Sequence, residues 1–230
     1  MSVARSDLLG LPLEVAPRLL GAELRTVVDG IETALRITEV EAYHGRGTGT
    51  MPDPGSHARM GPTARNATMW GEPGHLYVYL SHGIHSCVNV VCGPDGTAGG
   101  VLLRAGEVTA GVDAVAAHRG VATPLTRTAR RDLARGPGRL GQALGLRHAL
   151  HDGIDFVTGA EMNGATATMS WGEPVPDVSA GPRVGVAGVA GTMAFPWRFW
   201  ITGDPTVSPF RWGRGAQQAA LDGSAAALEG

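Results

Sequence analysis

The stretch LYVYLSHGIHSCVNVVC, which begins at Leu76, constrains the fold of this chain more than any other segment. Its first residues alternate as in a strand, so Tyr77 and Tyr79 share one face and their aliphatic neighbours share the other. The strand pattern resumes at CVNVV after a short polar break. Gly83 lies in this break and accepts a positive φ at little cost, which favours a tight turn. The sequence therefore predicts a β-hairpin with His82 at its tip.

Further strands and short helices are indicated along most of the chain. Strand patterns cover ALRITEVEAY, GVLLRAGEV, RVGVAGVAG and WRFWITGD. An amphipathic helix is predicted in LLGLPLEVAPRLLGAELRT, with Pro17 near its first turn. A second helix is predicted in RGPGRLGQALGL, because a proline follows glycine at its start and leucines recur at helical spacing.

No internal repeat and no linker divides the chain. The Gly/Pro-rich segment HGRGTGTMPDPGSHARMGPTARN is long for a connector, and long ordered loops are often functional. These patterns predict one α+β domain over residues 1–212, with helices packed on a curved, mostly antiparallel sheet. Residues 213–230 are poor in bulky apolar side chains and are expected to form a flexible tail.

Composition excludes several classes of protein. The chain has 230 residues, 43% of them hydrophobic and 17% charged, which is typical of a globular domain with a real core. No apolar run approaches the roughly 20 residues of a membrane helix, and no signal-peptide pattern is present. Cys87 and Cys92 are too few for a disulfide scaffold and point to opposite faces of one strand. We therefore expect a cytoplasmic protein with free thiols.

The basic residues are unevenly distributed. A net charge of −2 at first argues against binding to nucleic acid. One segment nevertheless contains a single acid, Asp132, among seven arginines: Arg119, Arg127, Arg130, Arg131, Arg135, Arg139 and Arg147. Such a run is either a solvated helix face or a surface for phosphates. All 19 basic residues are arginines, because the chain contains no lysine.

Two carboxylates and a tyrosine alternate in TEVEAY. Glu39, Glu41 and Tyr43 therefore share one face of a strand. Either this strand is an exposed edge, or its carboxylates are buried and must be paired or functional. Arg104, in VLLRAGE, lies among apolar or small neighbours in a strand expected to be central. It either reaches solvent at a strand end or pairs with a glutamate of TEVEAY.

Metal and cofactor chemistry have little support. His82, His85, Cys87 and Cys92 offer atoms that zinc accepts, but their spacing matches no common zinc motif. Nucleotide-binding glycine motifs and the serine-hydrolase elbow are absent from the sequence. We expect no metal site and no cofactor.

Several blocks taken together resemble the alkyladenine DNA glycosylases, the mammalian-type 3-methyladenine glycosylase family. These blocks are EVEAY, GSHARMGPTARNATMW, GHLYVYLSHGIHSCVNVV, GVLLRAGE, RGPGRLGQALGL and RVGV, and the resemblance extends to about GDPTVS. It implies a single α+β domain with a protruding β-hairpin that enters the DNA minor groove. It also implies an enzyme that flips a damaged purine out of duplex DNA and hydrolyses its N-glycosidic bond, leaving an abasic site.

The resemblance implies roles for individual residues. Glu41 matches the catalytic glutamate that activates water, while Arg104 and the backbone carbonyl of Val184 match groups that hold the glutamate and this water. Whether Glu39 shares the carboxylate role stays open. Four further residues match the base pocket of the family. Tyr43, His57 and Tyr79 match its walls, and Asn89 matches the residue that crowds the exocyclic amino group of guanine.

The DNA wedge falls at the turn of the predicted hairpin. His82 and Gly83 occupy this position, and family members often carry a tyrosine where this chain has His82. Ile84 and His85 are the competing candidates for the wedge. The implied partner is double-stranded DNA with alkylated or deaminated purines, such as 3-methyladenine, hypoxanthine or ethenoadenine.

The remaining expectations concern strand cleavage, assembly and alternative functions. Glycosylases that also cut the strand use an amine, so a chain without lysine is expected to be monofunctional. We expect a monomer associated with the nucleoid. The alternatives are a non-catalytic nucleic-acid-binding protein of the same fold and a His/Cys metal-dependent hydrolase.

Overall fold

One antiparallel sheet of nine strands organises the chain, whose computed structural model describes residues 1–228, with side chains to residue 223. The strands are β1 (Glu23–Val28), β2 (Ile31–His44), β3 (His75–Ser81), β4 (His85–Val91), β5 (Gly99–Ala110), β6 (Ile154–Asp155), β7 (Ala165–Ser170), β8 (Val178–Gly181) and β9 (Arg198–Ile201). The strand order is β6-β3-β4-β5-β2-β1-β7, while β9 pairs with β2 and β8 with β9.

Short helices cover the sheet. They are α1 (Pro12–Arg18), α2 (Val112–His118), α3 (Arg127–Arg131), α4 (Pro137–Ala143), α5 (His148–His151) and α6 (Ala216–Leu228), with 3-10 helices at Arg5–Leu8, Ala67–Trp70 and Gly188–Gly191. The predicted α+β class with an antiparallel sheet is confirmed. No helix in the described part of the chain combines the length and the apolar character needed to cross a membrane.

The core forms where α1, α2 and α4 pack on the sheet. Helix α4 contributes Leu140 and Ala143, which the helical period places on one face and which are fully buried. Gly141 allows a close approach to β4, because a Cβ there would lie 1.9 Å from the carbonyl oxygen of Ser86. This packing fixes the arginine-bearing start of α4 beside the strand that carries Asn89.

Strand β2 is long enough to pair with two neighbours in succession along one edge. Its first half pairs with β1, whereas Glu39–Glu41 pairs with β9. Strand β5 covers the other edge along almost the whole length of β2. The half that carries the two glutamates is therefore central, and the exposed-edge alternative is wrong.

Strands β3 and β4 form the predicted β-hairpin. Strands β3 and β4 pair up to Ser81 opposite His85, so the loop consists of His82, Gly83 and Ile84. His82 and Gly83 both have left-handed backbones, with φ of 50° and 70°. Glycine adopts this conformation freely, and histidine adopts it more readily than most side chains. That this turn enters DNA stays a prediction.

Three local expectations are wrong. RVGVAGVAG is not a strand, because Gly185 and Gly188 have φ of 72° and 58°, and its last four residues form the 3-10 helix Gly188–Gly191. Pro17 lies in the last turn of α1, whereas Pro12 begins the helix, where its missing N–H costs nothing. The residues ELRT, expected to extend this helix, open β1 instead.

The C-terminal segment contains α6, in the region where a tail was expected. Ala216, at the start of this helix, is buried against Gly191. The last two residues of the chain lie outside the described residues. The domain limit at residue 212 and the flexibility of residues 213–230 stay predictions.

Candidate active site

Two buried carboxylates share one arginine at the centre of the sheet. Glu39 and Glu41 have no exposed surface, and Arg104 on β5 is 6% exposed. The Arg104 guanidinium donates from Nε to Glu39 Oε1 at 3.0 Å and from Nη1 to Glu41 Oε2 at 3.3 Å. Burial opposes the charge, but Glu41 and Glu39 outweigh it and raise the pKa of Arg104. The predicted pairing of Arg104 with a glutamate of TEVEAY is confirmed.

Glu39 is held by four hydrogen bonds from protein donors. Besides Arg104, it accepts from Arg198 Nε at 2.7 Å. The backbone N–H of Ser208 donates at 2.7 Å and its hydroxyl at 3.0 Å. Three of these four hydrogen bonds end on Oε1 and one on Oε2, so both oxygens of Glu39 are engaged by protein donors.

Glu41 has a different set of donors. Its Oε1 accepts from the backbone N–H of Val184 at 2.6 Å, and its Oε2 from the Tyr43 hydroxyl at 2.8 Å and from Arg104. One acceptor direction, on Oε1, is therefore unused by these three protein donors. The contact of Val184 with the glutamate is made by its N–H, and the expected role of its carbonyl stays a prediction.

All three donors to Glu41 line one cleft of about 1010 Å³. The cleft also brings together the predicted pocket residues and several others: Tyr43, His57, Tyr77, Tyr79, His82, Asn89, Arg104 and Val184 are among its lining. His57 meets Tyr79 edge to face at 4.7 Å, and Tyr77 stacks on Tyr79 at 5.4 Å. Seven of the nine sequence-predicted site residues therefore line a single aromatic cavity; Glu41 is bonded to three of its lining residues, and Gly83 is not part of the lining.

The aromatic groups of the cleft are held in their neutral forms. Burial raises the pKa of Tyr43 well above its usual value, and the nearby Glu41 adds to this effect. Burial likewise raises the pKa of Tyr79, and that of Tyr77 to about 12. Enclosure in the cleft lowers the pKa of His57, as do Arg65 and Arg59.

Asn89 is a buried part of the cleft lining. Its side chain is 4% exposed, and Nδ2 donates to the backbone oxygen of Tyr77 at 3.1 Å. This bond crosses the β3–β4 pair, in which the two residues are direct partners. A side chain fixed in this way presents a constant shape to any occupant of the cleft.

Sequence comparison identifies the family. The model of the methylpurine-DNA glycosylases matches residues 8–205.

The chain belongs to the methylpurine-DNA glycosylase family.

Relatives from three bacteria cover nearly the same length. The chain is 48% identical to a protein of Leifsonia xyli, over 90% of this chain and 92% of that one. It is 48% identical to a protein of Nocardia farcinica, over 91% and 92%, and 49% identical to one of Streptomyces avermitilis, over 86% and 87%. Each bears the name "Putative 3-methyladenine DNA glycosylase". This family member is accordingly a DNA glycosylase, a hydrolase of base excision repair.

Sequence reasoning missed a buried ion pair in this glycosylase. Arg183 and Asp53 have no exposed side-chain surface and bond through both guanidinium Nη atoms, at 2.8 and 2.7 Å. Arg183 also donates to the Ala42 carbonyl and lies 4.6 Å from the centre of the Tyr43 ring. The pair ties the long loop that carries His57 to the strand that carries Glu41. Its only sequence signal was the RVGV block, because the partners are 130 positions apart.

The basic segment of the glycosylase contributes only part of its arginines to the cleft. The arginines that line it are Arg59, Arg65, Arg104, Arg119, Arg135 and Arg139. Arg119 is tied to the carbonyls of Asp132 and Leu133, both at 2.7 Å, so its position is fixed by the fold. The cleft mouth therefore combines aromatic walls with positive charge, an arrangement suited to nucleic acid.

The candidate zinc ligands do not assemble. Cys92 is packed in the hydrophobic core, whereas His82 and His85 are exposed at the hairpin turn. Cys87 and Cys92 are both free, and burial raises the pKa of each thiol. Within residues 1–228, no group of three or more His, Cys, Asp or Glu side chains is placed to hold a metal ion.

Proposed function

We propose that this methylpurine-DNA glycosylase flips an alkylated or deaminated purine of the 3-methyladenine type out of duplex DNA. It then hydrolyses the N-glycosidic bond with a water molecule activated by Glu41. The observation that carries the proposal is the setting of Glu41, whose three protein donors line the cleft and leave one acceptor direction on Oε1 unused. The names of the relatives support the substrate class.

The chemistry requires little from the enzyme beyond position and charge. Alkylation at a ring nitrogen makes the base cationic, so it is already a good leaving group. Glu41 accepts the proton of the water, whose oxygen bonds to C1′ while the bond from C1′ to the purine nitrogen breaks and its electron pair leaves with the base. The carboxylate also stabilises the oxocarbenium-like sugar that develops. Arg104 holds Glu41 in position throughout.

The aromatic walls select for an electron-poor base. Neutral Tyr43, Tyr79 and His57 present ring faces and edges to the cleft. A cationic purine gains roughly 0.5–2 kcal/mol from each well-placed ring. Asn89, fixed by its bond to Tyr77, crowds the exocyclic amino group of guanine and so acts as a steric filter.

The hairpin turn supplies the wedge. His82 is exposed in the turn and also lines the cleft, which supports a role in which its ring fills the gap that flipping leaves in the base stack. Filling this gap offsets part of the few kcal/mol that unstacking costs. The arginines of the cleft mouth bind the flanking phosphates.

The reaction stops at the abasic site. Strand cleavage by a glycosylase proceeds through a Schiff base with an amine, and the chain has no lysine to provide one. The enzyme is therefore monofunctional. Trapping with borohydride during wild-type turnover should give no covalent protein–DNA adduct, and an adduct formed at the rate of turnover would contradict this assignment.

The proposal is tested by a glycosylase assay on duplexes that each carry one defined lesion, with a chelator present. We expect release of the 3-methyladenine-type base with the strand intact. Tight binding without release would instead identify a non-catalytic DNA-binding protein. Release that the chelator abolishes would identify a metal-dependent hydrolase.

A further inference from the structure

An exposed segment of arginines and aromatic residues lies beyond the family match, which ends at residue 205. It is the run FRWGR, Phe210–Arg214, here named the FRWGR platform. Phe210 is 36% exposed and Trp212 42% exposed, and their rings meet edge to face at 4.8 Å. Both arginines are exposed as well, and no acidic residue occurs between Asp204 and Asp222.

The FRWGR platform is fixed to the wall of the cleft. The N–H groups of Gly185 and Gly188 donate to the carbonyls of Arg211 and Arg214, at 2.9 and 3.0 Å. Gly213 approaches the same wall so closely that a Cβ would lie 2.1 Å from the carbonyl oxygen of Val186. Residues 184–187 also line the cleft. The backbone of the platform is therefore anchored, while its side chains point to solvent.

The platform also extends the basic surface of the cleft. Arg211 lines a second cavity of about 310 Å³ together with Arg104, Arg135, Arg139 and Ser208. Arg135 and Arg139 line the main cleft too, so the two cavities share a wall. Arginine side chains thus continue from the cleft to the platform, with Asp132 as an acid beside Arg135 at 3.5 Å.

We propose that the FRWGR platform is a second DNA-contact surface, which binds the backbone beside the flipped nucleotide. Arg211 and Arg214 bind phosphates, and Phe210 and Trp212 pack against the adjoining deoxyribose and base edges. This proposal rests on the proposed function, because it places the damaged nucleotide in the cleft. The occupant is DNA, since the platform carries only positive charge and continues the arginine surface of the cleft.

The salt dependence of binding to an undamaged duplex tests the platform without requiring excision. Each phosphate contact contributes about 0.9 to the slope of log Kd against log salt concentration. Arg211→Gln and Arg214→Gln should each weaken binding at low salt and reduce this slope by about 1. The matched control is Arg18→Gln, an exposed arginine that stacks on Trp171 at 5.3 Å, because neither residue lines the cleft.

Tryptophan fluorescence provides an independent readout. Addition of the duplex should change the emission of the wild-type protein, Trp212→Phe should lose most of that change, and Trp171→Phe should retain it. Wild-type slopes in the double variant of Arg211→Gln and Arg214→Gln would overturn the proposal, whatever the outcome of the excision assay. Self-association measured by sedimentation and abolished by Trp212→Ser would assign the platform to a second copy of this chain, which also overturns it.

Discussion

Glu39 and Glu41 lie two positions apart on the buried half of β2, and both carboxylates bond to Arg104. They differ in what else surrounds them. Glu39 is closed off by Arg198 and Ser208, whereas the donors to Glu41 line the cleft. Two chemically identical side chains on one strand therefore have different surroundings, and under the proposed function Glu39 positions Arg104 while Glu41 activates the water.

Replacing Glu39 tests this division. Glu39→Gln removes the buried negative charge that pairs with Arg104 and Arg198. Breaking a buried ion pair in this way lowers the free energy of unfolding by about 3–5 kcal/mol. We expect the rate of excision to fall about tenfold, which corresponds to ~1.4 kcal/mol, because Arg104 holds Glu41 less well in position. The residual rate should keep the wild-type pH profile, since Glu41 is intact. A folded Glu39→Gln protein as inactive as Glu41→Gln would show that both carboxylates take part in the chemistry.

Asn89 should determine selectivity between purines. Asn89→Ser removes the amide that Tyr77 holds in place, so guanine lesions gain room for their amino group. The ratio of release rates for matched guanine and adenine lesions should rise about tenfold. Gln142→Ala, which changes another amide in the cleft lining, serves as the control and should leave the ratio unchanged. An unaltered ratio in Asn89→Ser would reduce Asn89 to a structural role.

If His82 is the wedge, the effect of replacing it should depend on how well the damaged base is paired. His82→Ala should slow excision most in well-paired duplex and least opposite a mismatch, where the base is already loose. His82→Asn is the matched variant, because asparagine tolerates the left-handed backbone at this position while lacking the ring. His82→Tyr should retain or improve activity on duplex. If Ile84→Ala instead shows the pairing-dependent loss, the wedge is Ile84.

We expect His44 to make the stability of the fold decrease in acid. It is 3% exposed and stacks on Trp197 at 4.7 Å, and burial lowers its pKa despite the nearby Asp53. Below the unfolded value of about 6.5, the unfolded chain takes up a proton before the folded one does, so stability decreases as pH falls. We expect the Tm of the wild-type protein to fall between pH 7.5 and pH 5.5, and the Tm of His44→Phe to fall less over the same range. Equal drops in both proteins would remove His44 as a cause.

Local patterns were sufficient to predict the parts of the fold that lie near one another in sequence. Alternation identified β2, β5 and the β3–β4 hairpin, and the glycine–proline start identified α4. The same alternation failed at RVGVAGVAG, because valines spaced by glycines resemble a strand while the glycines adopt positive φ. Sequence alternation reports side-chain spacing and does not report backbone handedness.

The sequence predicted only those site residues that the family resemblance or the alternation along a strand indicated. Ser208 and Glu39 are 169 positions apart, and Arg183 and Asp53 are 130 apart, so no local pattern connects them. A buried charge is costly unless it is paired, and here the fold supplies each partner from a distant part of the sequence. The contacts of Glu39 could therefore be identified only from the structure, whereas Glu41 was already a candidate from the sequence.

Single-turnover excision by Glu41→Gln decides whether Glu41 activates the water. The amide is nearly isosteric but cannot take the proton, so release of the base should fall by about 100- to 10,000-fold. Binding to the lesion duplex should persist, because the aromatic walls and the arginines are unchanged. Release by Glu41→Gln at near the wild-type rate would contradict the account and direct attention to Glu39.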